Sequence, residues 1–256
     1  MIIERSILVK ALVGSHNYNL ATPESDKDYK IFTMPTFDDL YRGKMYSKAD
    51  VGLEFDFDVH DIRKMVALFW KANINFLEVL YSKENHIYDK NIKEIYNLRK
   101  DIVRMNLPYL YNACRGMHFE KMKRLDNPTE GTAHLIEKYG YNTKEALHAY
   151  RVLDFITRFA YTDFEDFEWA MTYDENLRER MLEIKNGEYP KVTFQMLIRQ
   201  KMSQFEKFDQ AYYSQKPNEE LKQHIDLIIY NMIKENFQGT KESTLGGNED
   251  AQTITQ

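Results

Sequence analysis

The residues of this chain best suited to chemistry are Asp26 and Asp28, an Asp-x-Asp pair that begins eleven residues beyond a Gly14-Ser15 step. On a strand, side chains at i and i+2 leave the same face. The two Cα atoms then stand roughly 6 to 7 Å apart, and the carboxylates repel unless a cation lies between them. Downstream, "VGLEFDFDV" alternates strictly, with Val51, Leu53, Phe55, Phe57 and Val59 on one face and Glu54, Asp56 and Asp58 on the other. Three or more acids could thus converge on one or two hard cations. Oxygen-only ligands favour Mg²⁺ or Mn²⁺ over zinc, and two such ions about 4 Å apart activate an attacking oxygen and neutralise a leaving phosphate. Gly14 lets the backbone approach an anion, and the Ser15 hydroxyl with the amides that follow can hold a polyphosphate. An acid pair alone is usually solvated surface. Here each piece has a role in one site, and together they point to nucleoside triphosphate chemistry.

A second cluster is basic. Lys144, His148 and Arg151 recur at i, i+4 and i+7, which places them within roughly 40° on one helix face. By spacing alone this is a solvated stripe. As phosphate ligands they would divide the work, Arg as a planar fork, Lys as a point charge and His as a donor or proton shuttle. The base that deprotonates a hydroxyl belongs more naturally among the carboxylates. Ser25 and Lys30, which flank the acid pair, complete the candidate substrate contacts. In "RGMHFEKMKRL" (115–125) the charges spread around the helix and read as surface. Lys185 and Gly187 read as a helix end with its capping glycine, and Cys114 as inert.

These residues need a frame. The 256-residue chain is 43% hydrophobic, enough for a real core. Its formal charge of −5 argues against a protein that coats nucleic acid. A single cysteine suits a reducing, cytoplasmic setting, and no targeting segment or membrane span is visible. Strands are expected at 6–13, 26–34, where Pro35 closes the ladder, and 51–59. A helix begins at His60 or Asp61, the chain turns at Asn73, and helices follow at 91–104, 108–125, 143–160, 174–186 and 191–213. "ELKQHIDLIIYNMIKENF" is a last helix. The segments "NLPYL" and 125–134 read as loops. The expected division is a catalytic unit at 1–90, a helical unit at 91–237 and a disordered tail at 238–256.

Several of these stretches carry a resemblance. "LVGSHNYNLATPESDKDYKIF" resembles the Gly-Ser and Asp-x-Asp signature of DNA polymerase beta-type nucleotidyltransferases, and most of all their RNA-ligase-associated bacterial and phage branch. "HDIRKMVALFWKANINFLEVLYS" is similar to that branch's helix with its Asn-rich turn and Leu-Glu. "YGYNTKEALHAYRVL" is similar to its Lys-x-x-x-His-x-x-Arg helix, and "RMLEIKNGEY" to its Ile-Lys-x-Gly-Glu segment. The similarity spans roughly residues 7 to 190. Lys30 and Ile31 stand where the family often has Arg-Gly, and Ile74 where it often has Pro.

The resemblance implies an α/β fold, a small mixed sheet flanked by helices, followed by an all-helical C-terminal domain that closes one wall of the site. It implies metal-dependent transfer of a nucleoside monophosphate from an NTP to an acceptor hydroxyl, with release of pyrophosphate. Gly14 and Ser15 would meet the triphosphate, and Asp26 and Asp28 would hold Mg²⁺ or Mn²⁺. An acid of the third strand would be base or third ligand; Asp56 fits best and Asp58 next. Lys144, His148 and Arg151 coincide with the family's basic helix. The favoured acceptor is an RNA 3′ end, such as that of a tRNA, with a protein side chain or small molecule as alternatives. A catalytically silent nucleotide-binding module and a metal-dependent hydrolase are the rival readings.

Overall fold

The computed structural model describes residues 2–52, 55–239 and 252–253. After a two-residue strand β1 (Ile2–Ile3), the apolar run "ILVKALV" forms β2 (Ile7–Val13), buried along nearly its whole length. Gly14 breaks the strand at φ +73° and opens the short helix α1 (Ser15–Tyr18). The chain then returns as β3 (Lys27–Thr33), antiparallel to β2 with Val13 opposite Asp28. Pro35 ends that strand, and Thr36 and Asp39 form a capping box on α2 (Phe37–Tyr41). Next come β4 (Ser47–Val51) and β5 (Phe55–Asp61), an antiparallel pair. β5 also lies parallel to β3, so Asp28 stands opposite Asp56 and Lys30 opposite Asp58.

α3 (Lys64–Trp70) and α4 (Ile74–Leu77) follow, then a 3₁₀ turn (Glu78–Tyr81) and β6 (Asn85–Ile87) on the far side of β2. The main sheet is mixed, five-stranded, in the order β4-β5-β3-β2-β6. The remaining helices are α5 (Lys90–Asn97), α6 (Arg99–Ile102), α7 (Leu107–Lys123), α8 (Ala133–Tyr139) and α9 (Thr143–Tyr161). They continue as α10 (Phe167–Met171), α11 (Glu175–Lys185), α12 (Lys191–Glu206), α13 (Asp209–Tyr213) and α14 (Glu219–Gly239). β7 (Gln252–Thr253) pairs antiparallel with β1. Among the described residues no helix is long and apolar enough to cross a membrane.

The α/β class, the mixed sheet and the helical C-terminal part agree with expectation, and several local readings change. "VGLEFDFDV" is not one strand. It spans the end of β4, the hairpin at Gly52 and the start of β5, while Leu53 and Glu54 lie outside the described residues. Alternation alone does not reveal the turn; the pairing sets Val51 opposite Asp56 and Asp50 opposite Phe57, so the β4 arm enters the sheet out of phase with the alternation of β5. Asp26 precedes β3 rather than belonging to it. Neither His60 nor Asp61 begins α3; the Asp61 carboxylate instead takes the Arg63 backbone N–H at 2.9 Å and its guanidinium. Helix 91–104 divides at Leu98, and 191–213 divides at Lys207 and Phe208. "NLPYL" is no loop, because Pro108 sits in the first turn of α7, where its missing N–H costs nothing. α8 and β6 escaped the pattern because both are short. Most of the expected disordered tail, 240–251 and 254–256, lies outside the described residues.

A large core joins the helix-covered face of the sheet to the helical part. Its axis is α9, which packs on α7, α10, α11 and α12. The other sheet face carries a smaller cluster around Ile3, Leu12, Tyr29, Ile31, Phe57 and Val59.

Candidate active site

The spacer between Ser15 and Asp26 is the seam between sheet and helices. Asn19 Nδ2 donates to the Tyr173 carbonyl at 2.9 Å, and the Tyr173 N–H donates to the Tyr18 carbonyl at 3.0 Å. Arg178 on α11 reaches the Ala21 carbonyl at 2.8 Å. Lys185, at the end of α11, reaches the Thr22 and Ser25 hydroxyls at 3.3 and 3.4 Å. The spacer is thus fixed from the helical side, and the acids at its end face α9 across a cleft of about 540 Å³.

That cleft gathers Gly14, Ser15, Ser25, Asp26, Asp28 and Asp56 on one side, and Lys144, His148 and Arg151 on the other. Lys30 and Asp58 lie instead in an adjoining recess of about 350 Å³, which shares Asp28, Asp56 and Arg151 with the first. The parallel register of β3 and β5 sorts the acids. Lys30 Nζ donates to Asp58 Oδ2 at 2.7 Å, and His60 Nε2 lies 2.9 Å from Asp58 Oδ1. Against the cost of burial, these two neighbours hold the Asp58 carboxyl well below the usual carboxylate range. Asp56 carries a lighter load, a hydrogen bond from the Gly52 N–H to Oδ1 at 3.1 Å. Burial first, and then the Asp56 charge, raise the Asp28 carboxyl above its ordinary value; Lys144 and Lys30 pull the other way.

Gly14 is required here for a reason beyond its positive φ. A Cβ at this position would lie 2.6 Å from Asp28 Oδ2, so the acid rests against bare backbone. Its N–H is taken by Glu78 Oε2 at 3.0 Å and is not offered to a phosphate. Ser25 likewise accepts the Thr22 N–H at 2.9 Å within its own turn. Asp26 is exposed at the foot of β3, on the wall of the same cleft.

The basic stripe spans a gradient of burial. Lys144 is exposed at the rim, while Arg151, two turns deeper, is 3% exposed and lies over the Tyr18 ring at 3.9 Å. Arg151 Nε and Nη1 have no hydrogen-bond partner among the described residues. A buried cation with idle donors is costly, and an anion in the cleft would satisfy it. His148 is pushed down to about 3, chiefly by burial and then by Arg151, Lys121, Lys144 and Lys185. It is therefore neutral at pH 7, a donor or acceptor without charge. Because its folded value lies below the unfolded one of about 6.5, protonation of the unfolded chain erodes stability as pH falls below that value. A His148→Gln variant is expected to lose that slope between pH 7 and 5 in thermal melts, and the wild-type imidazole to show no NMR titration over the same range.

Reasoning from sequence read Lys185 as a helix end rather than a cleft residue and gave no role to Glu78 or Tyr139, though all three lie in stretches that carry the family resemblance, and it missed His134 of α8 altogether. Lys185 is indeed the last residue of α11, with Gly187 just beyond at φ +70° and tight against Tyr139. Both readings hold at once. The 115–125 segment remains surface: Lys121 pairs with Glu145 and Arg124 with Glu120, while His118 is buried against the Ala149 carbonyl. Cys114 is fully buried, which pushes its thiol up to about 12.

The model of the RNA repair pathway DNA polymerase beta family matches residues 3–228. The chain belongs to that family. No curated protein matches it. Among solved structures it is similar to a nucleotidyltransferase-like protein from Exiguobacterium sibiricum, at 12% identity over 93% of this chain and 72% of that one, with a TM-score of 0.27. A likeness that slight carries no argument. Membership covers both the strand acids and the basic helix, so the two halves of the cleft fall within one matched unit.

Proposed function

We propose that this chain transfers a nucleoside monophosphate from an NTP to a hydroxyl at an RNA end, with release of pyrophosphate. The observation that carries the reading is Arg151, buried with two idle donors at a cleft whose opposite wall bears the register-paired Asp28 and Asp56. Arg151, Lys144 and Lys185 bind and orient the triphosphate, and neutral His148 adds a hydrogen bond.

Among the described residues no three acids or imidazoles already stand close enough together to hold an ion. The donor chemistry nonetheless fits a hard divalent cation: Asp28 and Asp56 stand opposite each other, their charges repel, and Asp26 lies on the same wall. Mg²⁺ or Mn²⁺ held by Asp26, Asp28 and Asp56 would neutralise phosphate charge and make the attacking hydroxyl more acidic. Asp56 Oδ2 takes the proton of that hydroxyl, since Oδ1 is engaged by Gly52. Asp58, bound to Lys30 and His60, keeps β5 in register rather than acting itself. Rate enhancement comes mainly from positioning and fixed charge. RNA as acceptor is supported by the family's description.

The test is to incubate the protein with each α-³²P-labelled NTP, Mg²⁺ or Mn²⁺, and a mixture of RNA and protein acceptors. Label on RNA is the expected result. Label confined to protein would identify a modifying enzyme, label released as free NMP a hydrolase, and binding without turnover a silent module.

A further inference from the structure

Glu78 is a buried acid to which the chemistry above gives no task. It opens the 3₁₀ turn after α4 and is 2% exposed. Its Oε2 accepts the Gly14 N–H at 3.0 Å and Asn17 Nδ2 at 3.5 Å, and its Oε1 accepts the Tyr18 hydroxyl at 2.6 Å. Each of the first and last contacts leads to one wall of the cleft. Gly14 is the backbone against which the Asp28 carboxylate rests, and Tyr18 is the ring on which the Arg151 guanidinium lies. Burial raises the Glu78 carboxyl above its ordinary value against the opposing pull of the Tyr18 hydroxyl, the Arg151 charge and the Gly14 N–H, yet Glu78 and Arg151 form no ion pair and Arg151 Nε and Nη1 stay idle among the described residues. A buried charge is expensive, and apolar packing could fill the same space at less cost. A carboxylate here supplies what apolar packing cannot, two acceptor oxygens in one rigid group that tie separate segments together.

We infer that Glu78 is a positioning residue that sets both walls at once, holding the Gly14 turn so that Asp28 can approach and the Tyr18 ring so that the Arg151 fork points into the cleft. The inference rests on the proposed reading of Asp28 as a cation ligand and Arg151 as a phosphate ligand. Its two arms are separable. Glu78→Gln keeps the size but removes the charge and leaves one acceptor oxygen in place of two, so the Gly14 N–H and the Tyr18 hydroxyl can no longer both donate to a carboxylate and both arms loosen. Gly14→Ala disturbs only the Asp28 arm. Tyr18→Phe keeps the ring and cuts only the Arg151 arm.

The experiment measures Mn²⁺ binding by electron paramagnetic resonance and pyrophosphate binding by calorimetry on the full chain. The wild type is compared with these three variants and with the Gly14→Ala, Glu78→Gln double variant. Glu78→Gln should weaken Mn²⁺ binding at least fivefold and pyrophosphate binding at least threefold. Gly14→Ala should weaken only Mn²⁺, and Tyr18→Phe only pyrophosphate. The double variant should bind Mn²⁺ no more weakly than Gly14→Ala alone, because both changes act through one turn. A bystander in the core would show no such selectivity. Wild-type affinities in Glu78→Gln, or losses that multiply in the double variant, overturn the inference while leaving the reading of the cleft intact. A wild type that binds no Mn²⁺ overturns both. Should Glu78→Gln fail to fold, Glu78→Asp, which keeps the charge but withdraws it by one methylene, is held to the same criteria.

Discussion

Replacing Asp28 by asparagine is expected to lower nucleotidyl transfer by at least about a thousandfold in kcat/KM while leaving the protein as stable as the wild type or more so. The two effects share one cause. Asp28 is drawn against Gly14, half-buried, and set opposite Asp56 by the parallel pairing of β3 with β5. Burial and the Asp56 charge raise its carboxyl above its ordinary value, so keeping it ionised at neutral pH strains the free protein. A carboxyl with a raised folded value costs nothing while protonated in both states, and costs stability once pH rises through the unfolded value of about 3.9. An amide at this position removes that cost. The unfolding midpoint of Asp28→Asn at pH 7 should therefore equal or exceed that of the wild type, and any advantage should vanish as pH falls below the unfolded value. Added Mg²⁺ should raise the wild-type midpoint and leave the variant's unchanged, since only a site that binds in the folded state stabilises it. Wild-type transfer rates in the variant would remove Asp28 from the chemistry.

The second large effect is expected at Arg151. Arg151→Met should raise the KM for NTP at least about thirtyfold and lower kcat/KM by about 100- to 1000-fold, the scale of losing one preorganised charge-assisted donor group. Arg151→Lys should not restore activity, because the ammonium lacks the fork and sits differently on the Tyr18 ring. Folding should barely suffer. The lost cation–π contact, worth about 0.5 to 2 kcal/mol, is offset by relief of a buried charge whose Nε and Nη1 have no partner among the described residues. Steady-state kinetics with varied NTP, with a thermal melt of each variant, decide the matter. Unchanged KM and kcat would mean that Arg151 is merely a buried structural cation.

The two halves of the site differ in how legible they were. Gly14, Ser15, Asp26 and Asp28 could be picked out because a turn and an acid pair lie close in sequence, and alternation in "FDFDV" put Asp56 and Asp58 on one face. That alternation also misled, hiding the hairpin at Gly52: it put Val51 on the face of Phe55 and Phe57, whereas the antiparallel register sets Val51 opposite Asp56. Lys144, His148 and Arg151 were visible as one helix face, though spacing said nothing of depth, and depth separates the exposed Lys144 from the buried Arg151. Lys185, Tyr139 and Glu78 lie in stretches that carry the family resemblance, but nothing local placed them in the cleft. Each enters the site across a long stretch of chain, through contacts such as Lys185 to Ser25 and Glu78 to Gly14.

The sequence by itself determined the mixed α/β class, the strands β2 and β3, the longer helices, the acids and bases available and the glycine that lets an acid sit against backbone. Local propensity, hydrophobic period and side-chain chemistry are properties of short segments, and these features need nothing more. Only the tertiary structure decided which acid of β5 was tied up by a cation. The parallel register gives Lys30 to Asp58 and leaves Asp56 facing Asp28, and pairing between strands 28 residues apart is a matter of packing that no short window contains. It likewise left Arg151 buried with idle donors, because the Tyr18 ring and the Glu78 carboxylate that surround it come from the sheet side of the molecule while Arg151 comes from α9.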